Sequence, residues 1–464
     1  MIVRLAVRSL STRPMRTAVL SIGFGLSIAV MAELLGVGEV ILEQAHAPAL
    51  AGGGDVVLTG AVGSLDSARF VATDVLGSEQ FRRRIAAVSP SRRATLYLLS
   101  ANANGPIAVR GGIPSRERAV GDPEVAAQAA WADDRRDTAW IDPKPGELLR
   151  AMDRFHPSPA DAAFGGYAEW LYFNARSADG IERFYLTFMA GAPGEGGARP
   201  MLVRLQLNRG GTTANFSALG SVADRDVLDR APDLDVAGNR VRVTDDGRYA
   251  ISLSLHDESG STPLAGDIVL TPNAGRSIPP AAIHGARGWV SGYTVPVLSG
   301  AFTGTLRVGN DTLTVDGMAG YHDHNWGFWE GVRWQWGQVA GGDLSIVFGR
   351  VFPPADVADP SRMPGFLGVI GPDGPIAFST NVSIREDEDR GTPRAVTVQA
   401  RDRQVQLTLR LDVRESVRTA MALTRDASGA MTFLQLGGEY QVTGRAAGRD
   451  INFSARGSAE TFRR

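Results

Sequence analysis

The sequence predicts a mainly β protein: two antiparallel β-barrels following one N-terminal transmembrane helix and a small α/β or irregular segment. Three observations carry this. From Ala168 onward, apolar residues recur at alternate positions in short runs separated by Gly-, Asp- and Asn-bearing turns. Few helical patterns interrupt those runs, which selects a sandwich or barrel over an α/β layer. Near the N-terminus, an apolar stretch is long enough to cross a bilayer core of about 30 Å as a helix. At 464 residues the chain has room for two or three packed cores.

Taking the elements in order, Arg4, Arg8, Arg13 and Arg16 precede an apolar run from Thr17 to Ala32. After Glu33 the run continues as Leu34-Leu35-Gly36-Val37-Gly38 and Val40-Ile41-Leu42. The arginines hold their side in the cytoplasm. This predicts a single-pass protein of the inner (cytoplasmic) membrane with the bulk of the chain on the periplasmic or extracytoplasmic side. A cleavable signal peptide is the alternative, through the small-x-small steps Ala45-His46-Ala47 and Ala49-Leu50-Ala51. Residues 1–45 are therefore the basic stub and anchor. Residues 46–138 form an extracytoplasmic linker segment with short apolar runs (Val56-Val57-Leu58, Leu96-Tyr97-Leu98-Leu99) and a charged, alanine-rich, partly helical connector from Ser115 to Asp137.

Residues 139–287 are assigned to a first barrel and 288–464 to a second. Val405, Leu407, Leu409, Leu411 and Val413 alternate with Gln406, Thr408, Arg410 and Asp412, a strand with one dry and one wet face. Thr305–Val308 and Thr312–Val315 flank Gly309-Asn310-Asp311 as a hairpin, and Gly371-Pro372-Asp373-Gly374 supplies another turn. Further strands are expected at 184–190, 201–207, 239–244, 248–256, 266–271, 344–352 and 432–443.

Composition excludes several classes of function. The net charge is -2 and no basic stretch lies beyond the N-terminus, which argues against nucleic-acid partners. With no cysteine there are no disulfides, thiolate metal sites or cysteine nucleophiles. No Gly-x-Ser-x-Gly elbow, phosphate-cradling glycine loop or His-Glu-x-x-His occurs, so hydrolase, NTPase and zincin readings fall away. No cofactor or metal is expected.

One run stands apart: Gly320-Tyr321-His322-Asp323-His324-Asn325-Trp326-Gly327. As a strand it sends Tyr321, Asp323 and Asn325 to one face and His322, His324 and Trp326 to the other. Whichever set points inward carries ionisable groups into a space that is costly for them. His322 and His324 share a face as metal ligands would, but spacing identifies no third ligand. Trp334 and Trp336 share a face of a following strand, where core packing, pocket lining and stacking on a ligand all remain open. Glu169 reads as a buried structural partner or a site residue, and His156 as ordinary loop chemistry.

Two resemblances extend this reading. Leu5-Ala6-Val7-Arg8-Ser9-Leu10 and Arg13-Pro14-Met15-Arg16-Thr17 resemble the opening of an FtsX/MacB-type ABC transporter permease over residues 2–42. No second long apolar run follows, so the chain cannot form a transport pathway alone. The octapeptide, with Glu169-Trp170-Leu171-Tyr172-Phe173 and Val295-Pro296-Val297-Leu298-Ser299-Gly300, resembles the AttH / hydroxyneurosporene synthase (carotenoid 1,2-hydratase) superfamily over about 140–464. That superfamily has a two-barrel, lipocalin-like fold. The resemblance implies that Asp323 is a catalytic acid with Tyr321 as its neighbour. His322, His324, Asn325, Trp326, Trp334, Trp336, Glu169 and Tyr172 are the candidates for binding the ligand. Trp289, preceded by His284, stands roughly where the hydratases have a His/Trp pair, although the spacing differs; Leu171 replaces the second Trp of the Glu-Trp-Trp-Tyr step.

Two functions from different classes follow. The first is a membrane-anchored, lipocalin-like protein that binds a lipid, isoprenoid or polyene as an accessory of an ABC-type transport system, with ABC transporter subunits as partners. The second is a hydratase-like or cyclase-like enzyme, a hydro-lyase if it hydrates, using Asp323 on an apolar polyene. An apolar cavity of several hundred Å³ beside Asp323 would support ligand chemistry, and a filled core with Asp323 fully hydrogen-bonded would support a scaffold.

Overall fold

The computed structural model describes Met15, residues 54–59, Leu65, and residues 67–99, 104–122, Val125, 130–159, 164–421 and 431–463. The expected transmembrane run and the permease-like opening lie outside the described residues, apart from Met15. Among the described residues, no helix is long and apolar enough to cross a membrane.

The chain divides into two compact units, one of residues 1–58 and 87–133 and the other of 59–86 and 134–464. In the smaller unit, strands β1 (Ser91–Leu99) and β2 (Asn104–Gly112) pair as an antiparallel hairpin. The helix Pro114–Ala119 follows, with proline at its first turn where no amide partner is lost. Its Glu117 is buried and lies 3.7 Å from Arg110, which also pairs with buried Asp122.

The larger unit contains two sheets. The first is built from β3 (Tyr167–Arg176), β4 (Glu182–Gly191), β5 (Ala198–Arg209), β6 (Thr212–Ala223), β7 (Leu234–Val236), β8 (Asn239–Val243), β9 (Tyr249–Asp257), β10 (Pro263–Pro272), β11 (Ile278–His284), β12 (Val290–Val308), β13 (Asp311–Thr314) and β14 (Ala319–Phe328). Eight of these close a barrel in the order β10, β12, β14, β3, β4, β5, β6, β9, with β9 pairing back onto β10. The barrel is filled by the alternate residues of its strands, among them Leu171, Phe173, Phe184, Leu186, Phe188, Val203, Leu205, Ile251, Leu270 and Phe302. One end is capped by the helix Pro145–Met152, whose Leu148, Leu149 and Met152 recur at helical spacing and are buried.

The second sheet contains β15 (Arg333–Gly341), β16 (Leu344–Phe352), β17 (Phe366–Gly371), β18 (Gly374–Ser379), β19 (Val382–Asp389), β20 (Thr392–Arg401), β21 (Val405–Met421), β22 (Met431–Ala446) and β23 (Arg449–Arg463). Its order is β18-β17-β16-β15-β23-β22-β21-β20-β19. This is a nine-stranded half-barrel rather than the closed second barrel expected from the sequence, because the edge strands β18 and β19 do not pair. β19 carries Arg385, Glu386, Asp387, Glu388 and Asp389, and β18 begins Gly374-Pro375, both features that discourage edge pairing.

The boundary between the two bodies also differs from the expected one. β12 and β14, downstream of residue 288, are staves of the first barrel, and the motif strand β14 pairs with β3 across ten residue pairs from Ala319↔Arg176 to Phe328↔Tyr167. Alternation within a strand reveals its faces but not its neighbour, so a strand late in sequence can complete an early barrel.

Candidate functional site

β14 divides its side chains as a strand must. His322, His324 and Trp326 point into the closed barrel, while Tyr321, Asp323 and Asn325 point out of it toward the half-barrel.

On the inner face, the His322 ring stacks on Phe173 with centroids 4.0 Å apart and meets Tyr249 edge-on at 4.6 Å. Its Nε2 lies 2.7 Å from Asp153 Oδ2 and its Nδ1 3.0 Å from the Tyr172 carbonyl. Asp153, directly after the capping helix, also accepts the Tyr249 hydroxyl at 3.0 Å. His324 Nε2 lies 2.9 Å from Glu169 Oε1, and its Nδ1 lies 3.2 Å from Asp153 Oδ1, an ion-pair distance without hydrogen-bond alignment. Glu169 further accepts the His156 amide at 3.0 Å, contacts His156 Nδ1 at 2.7 Å and lies 3.6 Å from Arg199. Burial alone would push His324 down, but the Asp153 and Glu169 carboxylates outweigh it and hold His324 up at about 9. Burial would likewise raise both carboxyls, yet the histidines around them keep Asp153 and Glu169 below the usual carboxylate range. The inner face is therefore a closed set of compensated charges.

His156, Glu169 and His324 bring three donor atoms within 4.8 Å of one another, the spacing of a metal site. The donors are already spent, however. Glu169 Oε1 bonds both rings, and the Arg199 guanidinium stands beside Oε2 where it would repel a cation. The arrangement suits an ion-pair network better than a divalent ion.

The outer face opens onto a cavity of about 300 Å³ between barrel and half-barrel. Its walls are aromatic: Trp170 packs on Trp329 at 4.6 Å, Trp329 on Trp334 at 4.9 Å, Trp334 on Phe462 at 4.2 Å, and Tyr293 on Trp336 at 5.0 Å. Trp334 and Arg350 line the cavity, and Trp334 Nε1 and Arg350 Nε are buried without a protein acceptor. Few polar groups converging in an apolar cleft is the usual form of a small-molecule site.

Two carboxyl groups face this cavity. Asp323 accepts the Tyr321 hydroxyl at 2.7 Å and the Asn325 amide at 2.7 Å. Tyr321 is itself fixed by Trp336 Nε1, which donates to its hydroxyl at 2.9 Å. Glu460, on β23, accepts the Tyr172 hydroxyl at 2.7 Å, and Gln435 donates to that same hydroxyl at 2.7 Å. Burial pushes Asp323 up to about 6, against its two hydrogen bonds and the field of His322 and His324 behind it. Burial, reinforced by the Asp323 charge, pushes Glu460 up to about 8, with one hydroxyl opposing. Asp323 has two hydrogen bonds to its charged form and Glu460 one, so of the two Glu460 is the better placed to hold a proton.

No family model and no curated protein matches the chain. Solved structures do. The chain is similar to AttH of Nitrosomonas europaea, with a TM-score of 0.42, 16% identity, and 66% of this chain and 97% of that one covered. It is similar also to kievitone hydratase from Nectria haematococca, with a TM-score of 0.42, 13% identity and coverage of 67% and 96%. CghA aligns with a TM-score of 0.42, 12% identity and coverage of 66% and 94%.

Of the residues singled out by sequence, Asp323, Asn325, Tyr172, Trp334 and Trp336 come together on the cavity, and Tyr321 reaches it through Asp323. His322, His324, Trp326 and Glu169 do not; they lie inside the barrel, because β14 and β3 turn those positions inward. Trp289 is buried away from the cavity, against Gly285 and Val357. Sequence reasoning missed Glu460 and Asp153. His156, read as loop chemistry, is bonded to Glu169 and stacked on Trp326 at 4.2 Å.

Proposed function

We propose that the protein is an acid–base enzyme that adds water to, or cyclises, an alkene-bearing apolar small molecule such as an isoprenoid or polyene held in the cavity beside Asp323. One observation carries this: two carboxyl groups, Asp323 held by two hydrogen bonds and Glu460 by one, face one aromatic-walled space. A neutral Glu460 transfers its proton to an alkene carbon, and the positive charge develops on the more substituted neighbour, where the indole and phenol faces steady it. Water then bonds to that carbon and gives its proton to the Asp323 carboxylate, and proton exchange within the pair restores the starting state. Cyclisation differs only in that a second alkene of the same ligand captures the cation and Asp323 removes the proton.

The sequence reading assigned the proton to Asp323; the hydrogen bonds from Tyr321 and Asn325 favour Asp323 as the base instead. A carrier function within an ABC-type export system would need the cavity but would give no role to a proton held on Glu460. Attachment to the extracytoplasmic face of a membrane remains part of the proposal, supported by the arginine-flanked apolar run at 17–42.

The test is mass spectrometry of ligand extracted from the full chain, wild type, Glu460→Gln and Asp323→Asn, after incubation in isotopically labelled water. A labelled water gained, or an isomer formed, in wild type and in neither variant supports the enzyme. The same unaltered ligand in all three supports the carrier.

A further inference from the structure

A second, smaller pocket of about 60 Å³ lies beside the main cavity. The two share the Tyr185 side chain, and Tyr321, which lines the small pocket, bonds Asp323 of the large one. Their charge differs. The main cavity balances Arg204 and Arg350 against Asp323 and Glu460, whereas the small pocket is lined by Arg176, Arg183 and Arg456 and by no acid. Carboxylates stand around it: Glu415, 44% exposed, takes one arm of Arg183 at 2.8 Å, exposed Asp179 is close enough to feel Arg456, and Asp323 lies behind Tyr321.

Arg183 is only 7% exposed, and its Nε has no partner. A buried guanidinium whose one carboxylate partner is half-exposed is stabilised by a further negative charge beside it. Backbone is shaped to admit these groups. A Cβ on Gly437 would stand 1.8 Å from Arg183 Nη1, and one on Gly180 would stand 2.1 Å from Arg456 Nη1. Burial, and then crowding by Arg183 and Arg456, lowers Arg176 to about 10, and a negative charge in the pocket would offset the crowding. At about 15 Å³ of such space per water, the pocket holds several waters or one oxyanion.

We propose that this pocket holds the anionic head, a carboxylate or phosphate, of an amphiphile whose apolar body fills the aromatic cavity. The inference rests on the cavity being the substrate site and narrows the substrate class from any apolar alkene to one with an acidic end. Anchoring that end fixes which carbon of the chain lies beside Glu460 and Asp323.

The test is a fluorescence titration of the full chain at neutral pH with cis-parinaric acid, a conjugated polyene carboxylate, and with its uncharged methyl ester. The acid should bind about tenfold or more tightly than the ester, and Arg183→Met should remove the difference while leaving the ester unaffected. Arg456→Met, at an exposed position, should reduce the difference, and inorganic phosphate should compete with the acid but not with the ester. Equal affinity for acid and ester in wild type, or a preference that persists in both variants, would overturn the anionic-head site while leaving the cavity reading intact. Absence of binding by both probes would overturn the two together.

Discussion

The two faces of β14 bury ionisable groups a single residue apart and treat them in opposite ways. Inside the barrel, His322 and His324 are matched by Asp153 and Glu169, with Arg199, His156 and Tyr249 completing the set. Outside, Asp323 and Glu460 share one cavity with hydrogen bonds but no direct ion pair. A buried charge with a partner is fixed in its protonation state and tells of structure. A buried carboxyl pair without one is left holding a proton it can release, which is the condition for general acid–base work.

The largest effect should separate the faces outright. Glu460→Gln or Asp323→Asn should lower turnover by about 10²–10⁴-fold, as loss of a general acid or base does, with no loss of stability. On the inner face, Asp153→Asn leaves two imidazoles short of a carboxylate. It should cost about 3–5 kcal/mol of unfolding free energy, read as a lower urea midpoint. A fall in stability for Glu460→Gln as large as for Asp153→Asn would erase the distinction.

Response to pH sharpens the same contrast. Turnover should be greatest between the values of about 6 for Asp323 and about 8 for Glu460, falling below as the base is protonated and above as the acid is lost. Stability follows different signs. Depressed carboxyls such as Asp153 and Glu169 contribute stability that is lost as pH falls, and His324 contributes stability that is lost as pH rises through about 9. Glu460, raised from 4.5, makes the folded state less stable as pH rises toward about 8, so Glu460→Gln should flatten that part of a stability-against-pH curve. The smallest effect expected is for Trp336→Phe. It removes the indole bond to Tyr321 and should cost about 1 kcal/mol in the barrier, a few-fold in rate.

Much of this was legible in the residues. The alternation at 405–413 appears as β21 with Leu407, Leu409 and Leu411 buried, and the hairpin at 305–315 pairs Thr305 with Thr314. The octapeptide showed that one face of its strand must bury ionisable groups, and in the structure both do. Which groups meet them was not legible. Glu460 sits in Ala459-Glu460-Thr461, an ordinary strand alternation, and it gains meaning only because β23 lies across the cavity from β14. Asp153 lies in the turn after a capping helix, 169 residues from His322, a separation that no local pattern spans. Closure of the second sheet is not legible in its strands, because pairing of edge strands is a tertiary property, although the charges of β19 disfavour it.

The most direct test of the central claim needs no ligand. Infrared difference titration of the carboxyl stretch, wild type against Glu460→Gln, reports whether a buried carboxylic acid persists at neutral pH. The account predicts a protonated-carboxyl band at pH 7 that disappears as pH rises through about 8 and is missing from the variant. A spectrum with no such band at pH 7, both carboxyls being ionised throughout, would contradict it and leave Asp323 and Glu460 as parts of the scaffold.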